Sequence, residues 1–215
     1  MRSRILKNKR LKILSSAKKH IPFDGWNEKI FSTVANDLKI PIGEIHALFS
    51  NNYIDLLKLY LDDSENRMLK DSKKINFSNM KISKKIYEII VFRIKKNLNN
   101  KQLIRKTFIA LSHPKNSLLG MSSLYKTVDN IWFAAGDDSS DFNYYTKRLI
   151  LAGIYTSVLL FWLNDDSKNL KKTENFLKKQ LKKILFIGKI KKSIINFSEN
   201  NSSILNFKKK LKGIF

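Results

Sequence analysis

Apolar residues recur with helical period almost throughout this chain, and little punctuation interrupts them. Ile82, Ile86, Ile89, Ile90 and Ile94 fall at i, i+4, i+7, i+8 and i+12, the spacing of a half-buried helix. Seven Gly and three Pro in 215 residues leave too few turn formers for a β-sandwich or a glycine-loop nucleotide fold. The fold class that follows is all-α. A first helix opens at Leu11 and is expected to stop at Ile21-Pro22, and Asp24 is expected to cap a second that runs from Trp26 to Leu38. Helices then follow from Gly43 to Phe49 and from Tyr53 toward Met68. Others run from Leu103 to the stop at His113-Pro114, from Leu118 to a Gly136 C-cap, and from Phe142 to Leu163. Residues 71–79 and 189–203 read as linkers. Leu149 to Leu163, the most apolar stretch, falls short of the roughly 20 residues a membrane span needs and reads as the most buried core helix. A Lys-rich helix is expected to begin at Asp165-Asp166-Ser167.

The net charge of +24 sits on the two ends. Residues 1–20 carry eight Lys or Arg and no acid, and residues 168–215 carry fourteen Lys and two Glu, while the stretch between is nearly balanced. Thirty-five of the 42 basic residues are Lys, a point charge suited to anionic surfaces, whereas bidentate readout of phosphates and bases favours Arg. With Lys, Asn and Ile all abundant, part of the excess reflects compositional bias. The basic start lacks the apolar core of a signal peptide. At the other end Ile204, Phe207, Leu211, Ile214 and Phe215 fall within an arc of about 100°, with Lys208 at its edge. Such a helix can lie in a membrane interface, and these six are the candidate membrane residues.

Catalytic chemistry finds little support. Zero Cys excludes disulfides and thiolate sites. His20, His46 and His113 stand in unrelated contexts with no metal-ligand partner at helical spacing, and no nucleophile elbow or phosphate loop occurs. Asp137, Asp138 and Asp141 read as a loop with a capping Asp at a helix start. No metal, cofactor or enzymatic activity is expected.

The first four helices carry Ile13-Leu14, Ala17, Gly25, Val34-Ala35, Leu38-x-Ile40-Pro41-x-Gly43-x-Ile45-x-x-x-Phe49 and Asp55-Leu56. This resembles the helix-turn-helix region of TetR-type regulators, in which the helix after the turn enters the major groove. Here that helix, residues 42–49, holds no Lys or Arg and one Glu, so it reads as a scaffold without DNA binding. Three further stretches are His20-Ile21-Pro22-Phe23-Asp24-Gly25-Trp26, Tyr125 to Trp132, and Ala135-Gly136-Asp137-Asp138-Ser139-Ser140-Asp141-Phe142-Asn143-Tyr144-Tyr145-Thr146-Lys147-Arg148. Together they resemble the lipid-binding accessory protein of ubiquinone biosynthesis over roughly residues 11–188. Departures from the family's pattern stand at Tyr144, commonly Trp there, and at Lys147, often Arg.

That resemblance implies a TetR-like, dimeric, non-catalytic protein that binds isoprenoid quinone precursors and presents them to the di-iron demethoxyubiquinone hydroxylase. It also implies a membrane-associated C-terminal helix. The expected organisation is a degenerate helix-turn-helix region at 1–70, a lipid-binding helical domain at 80–188, and a linker with an amphipathic helix at 189–215. The expected location is cytoplasmic, on the peripheral face of the inner membrane, or the matrix side in a mitochondrion. The alternative is a TetR-type ligand-responsive transcriptional regulator. A polyisoprenoid quinone gains ~0.8 kcal/mol per buried CH₂ and needs an apolar cavity between helices. Its candidate lining is Ile90, Ile94, Leu118, Met121, Leu124, Tyr125, Val128, Trp132, Ala152 and Tyr155. Candidate residues for docking the hydroxylase are Asp129, Trp132, Asp137, Asp141, Asn143, Tyr144, Tyr145 and Arg148.

Overall fold

The structure, a computed structural model, describes residues 2–138 and 142–182. Two compact units make up the chain, Met1–Asn164 and Asp165–Phe215. The first contains α1 (Arg2–Asp24), α2 (Lys29–Leu38), α3 (Ile42–Leu48), α4 (Asn52–Ser72), α5 (Ile82–Lys96), α6 (Lys101–Ser112), α7 (Ser117–Ala135) and α8 (Phe142–Leu163). The second holds a 3-10 turn at Lys168–Leu170 and α9 at 171–182. No strand occurs among the described residues.

Ile13, Leu14, Ala17 and Ile21 line the inner face of α1 at i, i+1, i+4 and i+8. They pack with Ile30, Phe31 and Val34 of α2, Ile45 of α3, Phe49, and Leu56, Leu57 and Tyr60 of α4. Leu103 of α6 belongs to the same core. Trp26 donates from Nε1 to the Thr107 hydroxyl at 3.0 Å, so the α1–α2 turn is fastened to α6. The helix-turn-helix region therefore shares its core with later helices.

Several helix limits differ from the sequence-based expectation: α1 begins at Arg2, nine residues before Leu11, and α2 begins at Lys29 and not at Trp26. The first helix runs through Pro22 to Asp24, because a proline in the last turn forfeits only one hydrogen bond. Its stop is Gly25, with φ +75° and its N–H donating to the Ile21 carbonyl at 2.9 Å. Asp24 consequently ends α1 and does not cap α2; the N-cap position is Glu28, and the side-chain oxygen of Asn27 just before it accepts from the Lys29 N–H at 2.9 Å. Likewise α4 continues to Ser72, past the expected start of the linker at Asp71.

The expectation for α8 also needs correction. Leu151, Ile154, Tyr155, Val158 and Trp162 are buried, but Leu149 is 75% exposed, and Tyr145, Leu160 and Phe161 also face solvent. By length and composition α8 can cross a membrane, yet one face is committed to the bundle. It is apolar all round because two faces use apolar side chains, only one of them in the core. In the second unit Asp165 fixes the start of α9, accepting from the N–H of Ser167 and from both the N–H and hydroxyl of Thr173.

Candidate functional site

A cavity of about 340 Å³ opens among α4, α5, α6, α7 and α8. Its apolar wall is built by Leu61, Ile94, Ile104, Phe108, Leu111, Met121, Leu124, Leu159 and Trp162. Its volume falls in the range of small-ligand pockets. Gly120 lines it where α7 packs tightly on α6: a Cβ there would lie 2.8 Å from the Leu111 carbonyl oxygen. Met121 both lines the cavity and is 69% exposed, so it marks the mouth.

One part of the wall is charged. Arg93 donates from Nη2 to Glu65 at 2.6 Å, and Glu65 also accepts from the Thr127 hydroxyl at 2.8 Å and the Asn130 amide at 3.1 Å. Burial alone would raise the Glu65 carboxyl, but the Arg93 charge and these three bonds hold it below its ordinary value. Burial pushes the Arg93 guanidinium down, and Tyr155 and Glu65 more than reverse this, so it stays charged. The buried Tyr155 and Tyr60 hydroxyls are raised by desolvation and stay protonated. The expected lining did not include this pair. Its signal was nonetheless present: Glu65 lies four positions from Leu61, and Arg93 three from Ile90, each a charge on an apolar stripe.

Of the expected lining, Ile94, Met121, Leu124 and Tyr155 come together at the cavity. Ile90, Val128 and Trp132 are buried in the core away from it. Leu118 and Tyr125 are exposed on α7, and Ala152 is half-buried on α8, all outside the cavity wall. Helical periodicity identifies the inward side of a helix, and cannot tell a cavity from packed core on that side.

The candidate docking residues form a second cluster, which ties α7 to α8. Arg148 donates from Nε to Asp129 at 2.6 Å and from Nη1 to Asp137 at 3.4 Å, and Lys147 reaches Asp137 at 2.7 Å. A hydrogen bond with Tyr125, and then the bond Tyr144 donates to Asp129 at 3.0 Å, push the Tyr144 hydroxyl up to about 12. Trp132 donates to the Lys147 carbonyl at 3.2 Å. Arg148 and Trp132 are thus buried and spent on intramolecular bonds, so the reading of them as partner-facing is corrected: they hold the patch together. Tyr145, 66% exposed with its ring edge-on to Tyr144, and Leu149 one turn on face solvent. Asp141 lies outside the described residues, as do Ile204, Phe207, Lys208, Leu211, Ile214 and Phe215; of Asn143 only the helical backbone is described.

Among the described residues no group of three His, Asp or Glu could hold a metal ion. On α3, Glu44 is ion-paired with Lys9 of α1, and the helix holds no Lys or Arg.

The helix order and the helix-turn-helix geometry define a TetR-like all-α protein. A crystal structure of a TetR transcriptional regulator from Nitrosomonas europaea superposes with a TM-score of 0.68 at 21% identity, covering 83% of this chain and 99% of that one. Residues 118–188 match the COQ9 family model. The mitochondrial ubiquinone biosynthesis protein COQ9 of Bos taurus is 25% identical over 87% of this chain and 61% of its own length. A probable mitochondrial ubiquinone biosynthesis protein coq9 of Dictyostelium discoideum is 28% identical over 86% and 62%. Over most of its length the chain is thus similar to the COQ9 proteins, and it spans about three fifths of the length of these relatives.

Proposed function

We propose that this chain serves ubiquinone biosynthesis without catalysing a step, by holding isoprenoid quinone intermediates in the cavity and presenting them to the demethoxyubiquinone hydroxylase. The observation that carries the reading is the cavity itself, whose exposed wall is mostly apolar with Ser, Thr and Asn side chains and the Arg93–Glu65 pair set into it, in a chain similar to proteins named for ubiquinone biosynthesis. An isoprenoid tail gains ~0.8 kcal/mol per buried CH₂ there, more than a carrier of modest affinity needs from a few carbons. The hydroxylase would dock at the exposed Tyr145 and Leu149, above the Arg148 network that fixes their positions. The protein would work as a homodimer at the face of the membrane that makes ubiquinone, held there by the Lys-rich C-terminus. The relatives' names give the mitochondrion as their compartment.

Two measurements test it. Lipid extracted from the purified full-length chain should contain an isoprenoid by mass spectrometry, and added short-tail ubiquinone should raise the melting temperature by mass action. Extracts free of isoprenoid together with an unmoved melting temperature refute the reading. A regulator of transcription is disfavoured by the absence of Lys and Arg from α3, although the fold is shared with one.

A further inference from the structure

We infer that a second cavity, between α4 and α5, binds a small monocarboxylate whose charge is held by Lys96, Arg67 and Arg93. The inference stands apart from the carrier reading, because it concerns a different cavity and a different ligand. This cavity measures about 230 Å³ and lies beside the first, with Arg93 in the wall of both. Unlike the first it is rich in charge: Arg67, Arg93, Lys96 and Asp71 line it, next to the apolar Ile75 and Ile89.

The charges around it do not cancel. Asp63 pairs with Arg67 at 3.0 Å, Glu65 with Arg93 at 2.6 Å and Asp71 with Lys74 at 2.7 Å. Those three pairs leave Lys96 over. Its ammonium lies 5.4 Å from the Phe92 ring centroid and within salt-bridge reach of no carboxylate among the described residues. The hydrogen bond from Lys74, helped by the charges of Lys96 and Arg67, holds the Asp71 carboxyl below its ordinary value, so it stays ionised. One positive charge remains, and one negative charge on a ligand cancels it. A dianion would instead leave an excess charge in a half-enclosed space, which is costly.

Donors for that anion are in place. Both bonds made by Arg67 go to Asp63, from Nη2 to the carboxylate and from Nε to the carbonyl at 3.3 Å, and its Nη1 meets no acceptor among the described residues. Arg93 is engaged by Glu65, Ser64 and Tyr155 on one side. On the other its Nη1 points at the thioether of Met68 at 2.8 Å, and Met68 lines this second cavity. A thioether is a weak acceptor, and a carboxylate oxygen in its place would make a charge-assisted bond. Ile75 and Ile89 suit a short hydrocarbon body behind the carboxylate.

The test is isothermal titration of the full-length chain with butyrate at neutral pH and fixed ionic strength. Saturable binding in the millimolar range is expected for so small a ligand. Lys96→Gln should weaken it about ten- to a hundredfold, the scale of one hydrogen bond to a charged group. Arg67→Gln should weaken it severalfold, and both side chains are exposed, so both variants should keep the helical circular-dichroism signal. Met68→Leu should tighten binding, because the Arg93 donor then has no thioether to leave. Lys115→Gln, an exposed lysine outside the cavity, should change nothing. Wild type without saturable butyrate binding overturns the site, and so does an equal loss in Lys115→Gln and Lys96→Gln, which would assign the effect to the overall charge of +24. Unchanged or weaker binding in Met68→Leu overturns the part given to Arg93, and inorganic phosphate or sulfate binding more tightly than butyrate overturns the choice of a monocarboxylate.

Discussion

Arg148 bonds two carboxylates at once, and its guanidinium carbon lies 3.3 Å from the centroid of the Tyr144 ring. Asp137, with a side chain 1% exposed, would lose one of the two cations that reach it. Breaking a buried pair from one side costs about 3–5 kcal/mol, and the more open Asp129 brings the expected loss for Arg148→Glu to about 3 kcal/mol. The urea midpoint should fall accordingly, whereas Tyr145→Ala on the exposed side should move stability by about 0.5 kcal/mol or less. Equal midpoints for wild type and Arg148→Glu would show that the network carries no stability. The sequence did not reveal this role because Asp129 lies 19 positions back, and the bond between them exists only once α7 and α8 pack. Asp165 makes a prediction about pH. Burial alone would raise its carboxyl, but hydrogen bonds from Ser167 and Thr173 lower it from 3.8 to about 2. A depressed carboxylate stabilises the fold above its unfolded value and loses that contribution as pH falls through the folded one. Amide-exchange protection at Thr173 should therefore decline between pH 4 and 2. Asp165→Asn, which cannot titrate, should show a flat profile, and an identical decline in that variant would assign the effect to another group.

At the scale of elements, one close contact beside the cavity is α6 against α7 at Gly120. Helix propensity alone would favour Ala there by about 1 kcal/mol. The added methyl would meet backbone, the Leu111 carbonyl at 2.8 Å, and backbone yields less readily than a side chain. Overpacking of this kind costs about 1–3 kcal/mol, so Gly120→Ala should lower stability by about 1 kcal/mol net. Because Gly120 and Leu111 both line the cavity, quinone affinity should change with it. A variant with unchanged midpoint and affinity would mean that α6 shifts without resistance. Helix identity was readable throughout: α7 ends at Gly136 in the left-handed conformation, as its sequence announces. What went unread was the direction of faces. The N-terminal half of α7 turns Leu118 and Met121 to solvent, and α8 does the same with Leu149, although both sequences look like core. Hydropathy records that a side chain is apolar, and a surface kept for a ligand or a partner is apolar as well.

For the whole molecule, charge and fold make opposite demands on the same partner. A net charge of +24 attracts any polyanion, and the TetR-like fold supplies a helix-turn-helix, yet α3 carries no Lys or Arg and its Glu44 is tied to Lys9. Binding driven by charge alone releases counterions, and with six to ten phosphate contacts it weakens by about 10³–10⁵ between 50 and 200 mM salt. Membrane binding through apolar insertion keeps the part that salt does not screen. One salt titration on two partners thus separates the roles. On DNA the protein should bind all sequences alike, lose that binding by 200 mM salt, and be indifferent to Glu44→Ala or His46→Ala. On vesicles rich in anionic lipid, full-length protein should weaken only partly as salt rises. Each Lys near the surface adds ~1 kcal/mol to whatever Phe207, Leu211, Ile214 and Phe215 contribute by insertion. A chain cut after Gly188 loses those residues and should keep its helical circular-dichroism signal while no longer sedimenting with the vesicles. A footprint on one DNA sequence that either α3 substitution abolishes would return the protein to the regulators whose fold it shares. Undiminished sedimentation of the cut chain would move the membrane contact to another surface, the basic start of α1 being the next to test.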